Sequence, residues 1–91
     1  MSTSSQLSPA GEQPSVITPD AAAHVLWQEN RGGYPAGSFT TALLTAWWLA
    51  DDINSVRLAD AFPAYGAAID LLRTRGGIAR LRAIAAGGES L

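Results

Sequence analysis

His24 is the only histidine of the chain, and Asp20 stands four positions before it. At that spacing two side chains lie on one face of a helix. A histidine–carboxylate pair can work as a general base, but it needs a nucleophile beside it. No serine is placed by spacing to serve, and cysteine is absent. The pair therefore reads as a local helix contact. Asp51-Asp52 is a second acidic pair, and its place at the head of a periodic apolar segment makes it a helix cap rather than an acid and a base. Without cysteine there are no disulfides and no thiolate metal ligands, and one histidine cannot anchor a metal cluster. Lysine is absent as well. The glycine-rich loop Arg31–Ser38 thus cannot complete a phosphate-binding loop, which needs a lysine and a preceding strand. The expectation is a non-enzymatic chain with no cofactor and no metal.

The six positive side chains are all arginine, and the net charge is −2. That balance argues against simple electrostatic binding of nucleic acid. The distribution is uneven. Residues 1–70 carry −5, and residues 71–91 carry +3 through Arg73, Arg75, Arg80 and Arg82. Arginine suits phosphate and carboxylate forks, so these four form a candidate anion or nucleic-acid patch. The plainer reading is that they offset helix dipoles near helix C-termini.

The elements that must position these residues are helical. The chain has 91 residues, 47% of them apolar and 15% charged, against roughly 25% charged in an average soluble protein. One domain is the limit at this length. Residues 1–17, rich in Ser, Thr, Gln, Pro and Gly, read as a disordered tail, with Val16 and Ile17 available as a staple against the first helix. A single helical domain is expected over residues 18–88. Thr18-Pro19-Asp20 is a helix start, and that helix should run to about Arg31, where Gly32-Gly33 ends it. Ser38 or Gly37 caps a second helix from Phe39 to Ala50. Asp51 caps a third, with Asn54 three residues on. Pro63 kinks that helix or opens a new one. Tyr65, Ala68, Ile69 and Leu72 line one face of the stretch to Thr74. Gly76-Gly77 breaks the chain before a final helix carrying Ile78, Leu81, Ile84 and Ala85. No segment shows sustained strand alternation. The expected class is all-α, a small bundle of four or five short helices. The longest apolar stretch falls short of the about 20 residues of a membrane span, and no secretory signal is visible, so the expected location is cytoplasmic.

The second helix is the most informative element. It is apolar around most of its circumference, with Phe39, Leu43, Ala46 or Trp47, and Ala50 in one stripe and Leu44 and Trp48 in another. Such a helix can sit at the centre of the domain, wrapped by the others. Otherwise one stripe faces outward to a partner or a second copy. Tryptophan is enriched at binding hot spots, and Thr41, Leu44 and Trp48 are the candidate partner-binding residues.

Gly33-Tyr34-Pro35-Ala36-Gly37-Ser38-Phe39, followed by Ala50-Asp51 and Asn54, resembles a pattern found in a group of short helical proteins from bacteriophages and their GC-rich bacterial hosts. The resemblance lies between Arg31 and Leu72 and brings no catalytic residues with it. It implies a small protein that binds a host protein and modulates it. Two alternatives stand beside that reading: a nucleic-acid-binding regulator using the C-terminal arginines, and a virion structural or assembly protein that self-associates through the apolar face.

Overall fold

The computed structural model describes residues 17–87. Within them the chain forms five helices and no strand: α1 (Pro19–Gln28), α2 (Ser38–Leu49), α3 (Asp52–Ala61), α4 (Pro63–Leu72) and α5 (Gly77–Ala85). This is the all-α bundle expected. The tail read over residues 1–17 lies outside the described residues, with one exception. Ile17 is buried and belongs to the core. It stands directly before the Thr18 cap, and Ala22 of α1 shares its core cluster, the arrangement of an N-terminal hydrophobic staple.

Local chemistry sets most helix starts. The Thr18 hydroxyl accepts from the Ala21 N–H at 3.1 Å, and Pro19 occupies the first turn. The Asp51 carboxylate accepts from the Asn54 N–H at 2.8 Å, satisfying one of the orphan donors of α3. Pro63 opens α4 rather than kinking α3, because at the first helical position its missing N–H costs nothing. Phe62 is the single residue between the two helices. The corner it makes is tight: a Cβ on Gly66 would stand 2.9 Å from the Cβ of Ala59, so α3 and α4 touch there through a position that only glycine fills.

α1 ends earlier than expected, and for a different reason. Asn30 adopts a left-handed conformation at φ 58°. Its N–H bonds the Trp27 carbonyl at 3.0 Å, and the Arg31 N–H bonds the Leu26 carbonyl at 2.9 Å. These two bonds make a Schellman stop in which asparagine replaces the usual glycine. Gly32 and Gly33 belong to the loop that follows.

α1 is the central helix. It packs against α5, α4 and α2, and Ala21, Ala22, Ala23, Val25 and Leu26 are all buried on it. Three successive alanines let its neighbours approach closely on more than one side. α2 is therefore not the wrapped helix its apolar circumference suggested. It lies at the edge, against α1 and α3, and buries only Leu44 and Trp47. α3 is more peripheral still. It lies against α4 and α2 and has no buried residue. The core consists of Ile17, α1, the inner face of α2, Ala68 and Ile69 of α4, and Leu81 and Ile84 of α5.

Candidate protein-binding face

The edge position of α2 and α3 exposes apolar side chains that a core would normally hold. Phe39 is 68% exposed, Leu49 83%, Ile53 67% and Val56 62%. Leu49 lies about 200° around the helix from Trp47, which points it away from the core. Phe39 keeps one aromatic neighbour, Phe62, with ring centroids 6.2 Å apart. Thr41, Ala42, Thr45 and Ala46 are exposed on the same helix. No charged side chain occurs from Gly32 to Ala50. On α3, Asp52, Ile53, Val56 and Arg57 line an open, shallow groove of about 370 Å³. Four large side chains so exposed present on the order of 500 Å², at the upper end of the largest apolar patch of an ordinary monomer.

The stripe expected to bind a partner was Thr41, Leu44 and Trp48. Leu44 is fully buried and cannot belong to a surface. Trp48 is half-buried and packs on the core. Thr41 is exposed, but its hydroxyl donates to the Ala36 carbonyl at 3.3 Å. The inward pair is Leu44 with Trp47, three positions apart, flanked by Leu43 and Trp48. Four-residue stripes on a helix without a charged residue gave no means of telling inside from outside. The exposed residues that reading missed are Leu49, Ile53 and Val56; the lack of charge before Asp51 was a signal for Leu49 alone.

The four C-terminal arginines are all exposed and stand in different settings. Arg82 directs its guanidinium at the Arg31 carbonyl, with bonds of 3.0 Å from Nε and 2.9 Å from Nη2. Arg80 and Arg82 are two positions apart on α5, a spacing that turns side chains to different sides. Arg73 directly follows α4 as its C-cap and borders a groove with Asp70 and Trp47. Arg75 is exposed in the turn before α5.

Asp20 and His24 do not pair with each other, as their spacing had suggested. Asp20 accepts a hydrogen bond from the Tyr34 hydroxyl, and the His24 Nδ1 is hydrogen-bonded to the Tyr65 hydroxyl at 2.7 Å. Tyr34 also meets the His24 ring edge-on, at 5.4 Å between centroids. The Asp20 carboxylate, as acceptor, holds the Tyr34 phenol above its usual pKa. These contacts tie the loop after α1, and α4, to the polar side of α1. Both tyrosines lie far from His24 in sequence, so spacing gave no sign of them. Among the described residues, no three of His, Cys, Asp and Glu converge on a point that could hold a metal ion. No helix among them is long and apolar enough to cross a membrane.

The same loop is fastened at three points: Tyr34 on Asp20, the Arg31 carbonyl on Arg82, and Gly33 over the Ala23 carbonyl. Of its glycines, Gly33 serves this packing. No protein-family model, curated protein or solved structure is similar to this chain.

Proposed function

We propose that this chain is a non-enzymatic protein-binding module that meets its partner through the outer face of α2 and α3. The observation that carries the reading is the exposure of Phe39, Leu49, Ile53 and Val56 on two helices that together bury only Leu44 and Trp47. Large apolar side chains left in water contribute almost nothing to the folding of a small domain with little stability in reserve. A partner that covers them gains the free energy of removing them from water. The resemblance of residues 31–72 to short bacteriophage proteins supports a host protein as the partner and modulation of that protein as the effect.

Affinity capture from a lysate of the bacterial host tests this reading. The wild-type chain should retain a protein that the variants Phe39→Glu and Leu49→Glu lose, with helical circular dichroism unchanged in both. Retention of the same proteins by wild type and both variants would remove the α2 face from the function.

A further inference from the structure

The outer face of α3 has a pattern of its own. On a helix of about 100° per residue, Val56 and Ile53 lie side by side, with Asp52 about 70° to one side of their midline and Arg57 about 70° to the other. Along the axis Asp52 lies at the N-terminal end of the four and Arg57 at the C-terminal end. An apolar pair is thus bracketed diagonally by one acid and one base. Neither Asp52 nor Arg57 makes an ion pair or side-chain hydrogen bond among the described residues.

This pattern is complementary to itself. When a two-fold axis runs along one diagonal of the face, the two α3 helices cross steeply. Ile53 then faces its own copy, Val56 faces its own copy, and Asp52 of each chain meets the partner's Arg57. Both charges find opposite charges, and the four apolar side chains leave water together.

We propose that a second copy of this chain docks on the outer face of α3, making the protein a two-fold homodimer with crossed α3 helices. The inference rests on reading the α2–α3 face as a protein-binding surface and names one occupant for its α3 half. Two short helices side by side offer a face roughly 18 Å long and 20 Å wide. The footprint of that face is about 360 Å², and steeply crossed helices cover only part of it, so the contact belongs with small, weak interfaces whose dimer forms at high concentration. The chain's own N-terminal segment is a poor substitute. The sixteen residues before Ile17 hold Met1, Leu7 and Val16 as their only large apolar side chains. A dimer of this form leaves the Phe39 end of each α2 outside the contact.

Sedimentation equilibrium of the full chain tests the inference. The wild type should be a dimer at high concentration, and Asp52→Arg and Arg57→Asp should each weaken self-association by about tenfold or more, since like charges then meet across the axis. An equimolar mixture of the two variants should recover the dimer, because each supplies the charge that the other lacks. A wild type monomeric at every concentration overturns the inference. So does a mixture of two helical variants that stays monomeric, or two single variants that dimerise as well as the wild type. Should either variant lose its helical circular dichroism, Asp52→Asn and Arg57→Gln replace them, and wild-type dimerisation in both would count against the proposal. Partner capture is read with the α2 variants, so that reading and this one can fail separately.

Discussion

The Arg82 guanidinium grips the backbone carbonyl of Arg31 across 51 positions of sequence, through two hydrogen bonds of 3.0 and 2.9 Å. The two residues are both cationic, and what joins them is a carbonyl left without a helical partner where α1 stops. A fork of parallel N–H donors suits one exposed oxygen, and it fastens the loop that leads into α2 to the last turn of α5. The placing of α2, and so of the apolar face, depends on that loop.

Removing the fork should loosen the loop before it loosens the core. Arg82→Ala is expected to cost about 1 kcal/mol in urea denaturation, the ordinary net worth of an exposed hydrogen-bonded contact. Arg82→Lys should recover only part of it, because an ammonium cannot present two donors in a fixed plane. A lysine variant as stable as the wild type would show that charge, not the fork, is what matters.

Gly33 is the second fastening. Its φ is +73°, and a Cβ there would stand 2.1 Å from the Ala23 carbonyl oxygen. Both the backbone conformation and the contact exclude a side chain. Gly33→Ala should destabilise by more than about 2 kcal/mol. Gly37 makes the contrast. It is the N-cap of α2 with no side-chain cap bond, and no atom lies within 4 Å of an added Cβ. Gly37→Asp should gain a few tenths of a kcal/mol. Thermal unfolding of the two variants side by side checks the ordering.

The parts legible in the sequence were those written locally. Thr18 and Asp51 each act within one turn of themselves, so their residue types announced the helix starts, whereas Pro63 fitted a kink as well as the start that the structure shows. The end of α1 was less legible, because Asn30 and Gly32 are both able to take a positive φ, both do, and only the structure shows which of them stops the helix. The place of α2 was not legible. Periodicity finds the inner face of a helix by contrast, and a helix without a charged residue offers none. The joining of His24 to Tyr65 and of Asp20 to Tyr34 was hidden for another reason: the tertiary fold brings those groups together, and no spacing encodes it.

The Tyr34–Asp20 contact has a pH signature. The carboxylate raises the phenol's pKa above its ordinary value of about 10. The folded state therefore holds that proton more tightly than the unfolded state. The contribution is complete below pH about 10 and is lost as pH rises through the folded pKa. Tyrosinate absorbance should show one tyrosine titrating late, and Asp20→Asn should bring it back toward the ordinary range. An unchanged titration in that variant would mean that Asp20 is not the cause.

Leu44 and Leu49 offer the most direct check on which side of α2 faces the core. They have the same side chain on the same helix, one fully buried and the other 83% exposed. Leu44→Ala should cost about 2–5 kcal/mol, the lost transfer free energy plus a cavity in the core cluster it belongs to. Leu49→Ala should change the stability of the isolated fold by less than about 0.5 kcal/mol. Denaturation at low protein concentration keeps association out of the comparison. Were Leu49→Ala to cost as much as Leu44→Ala there, Leu49 would be buried within its own chain. The face assigned to a partner would then be part of the core.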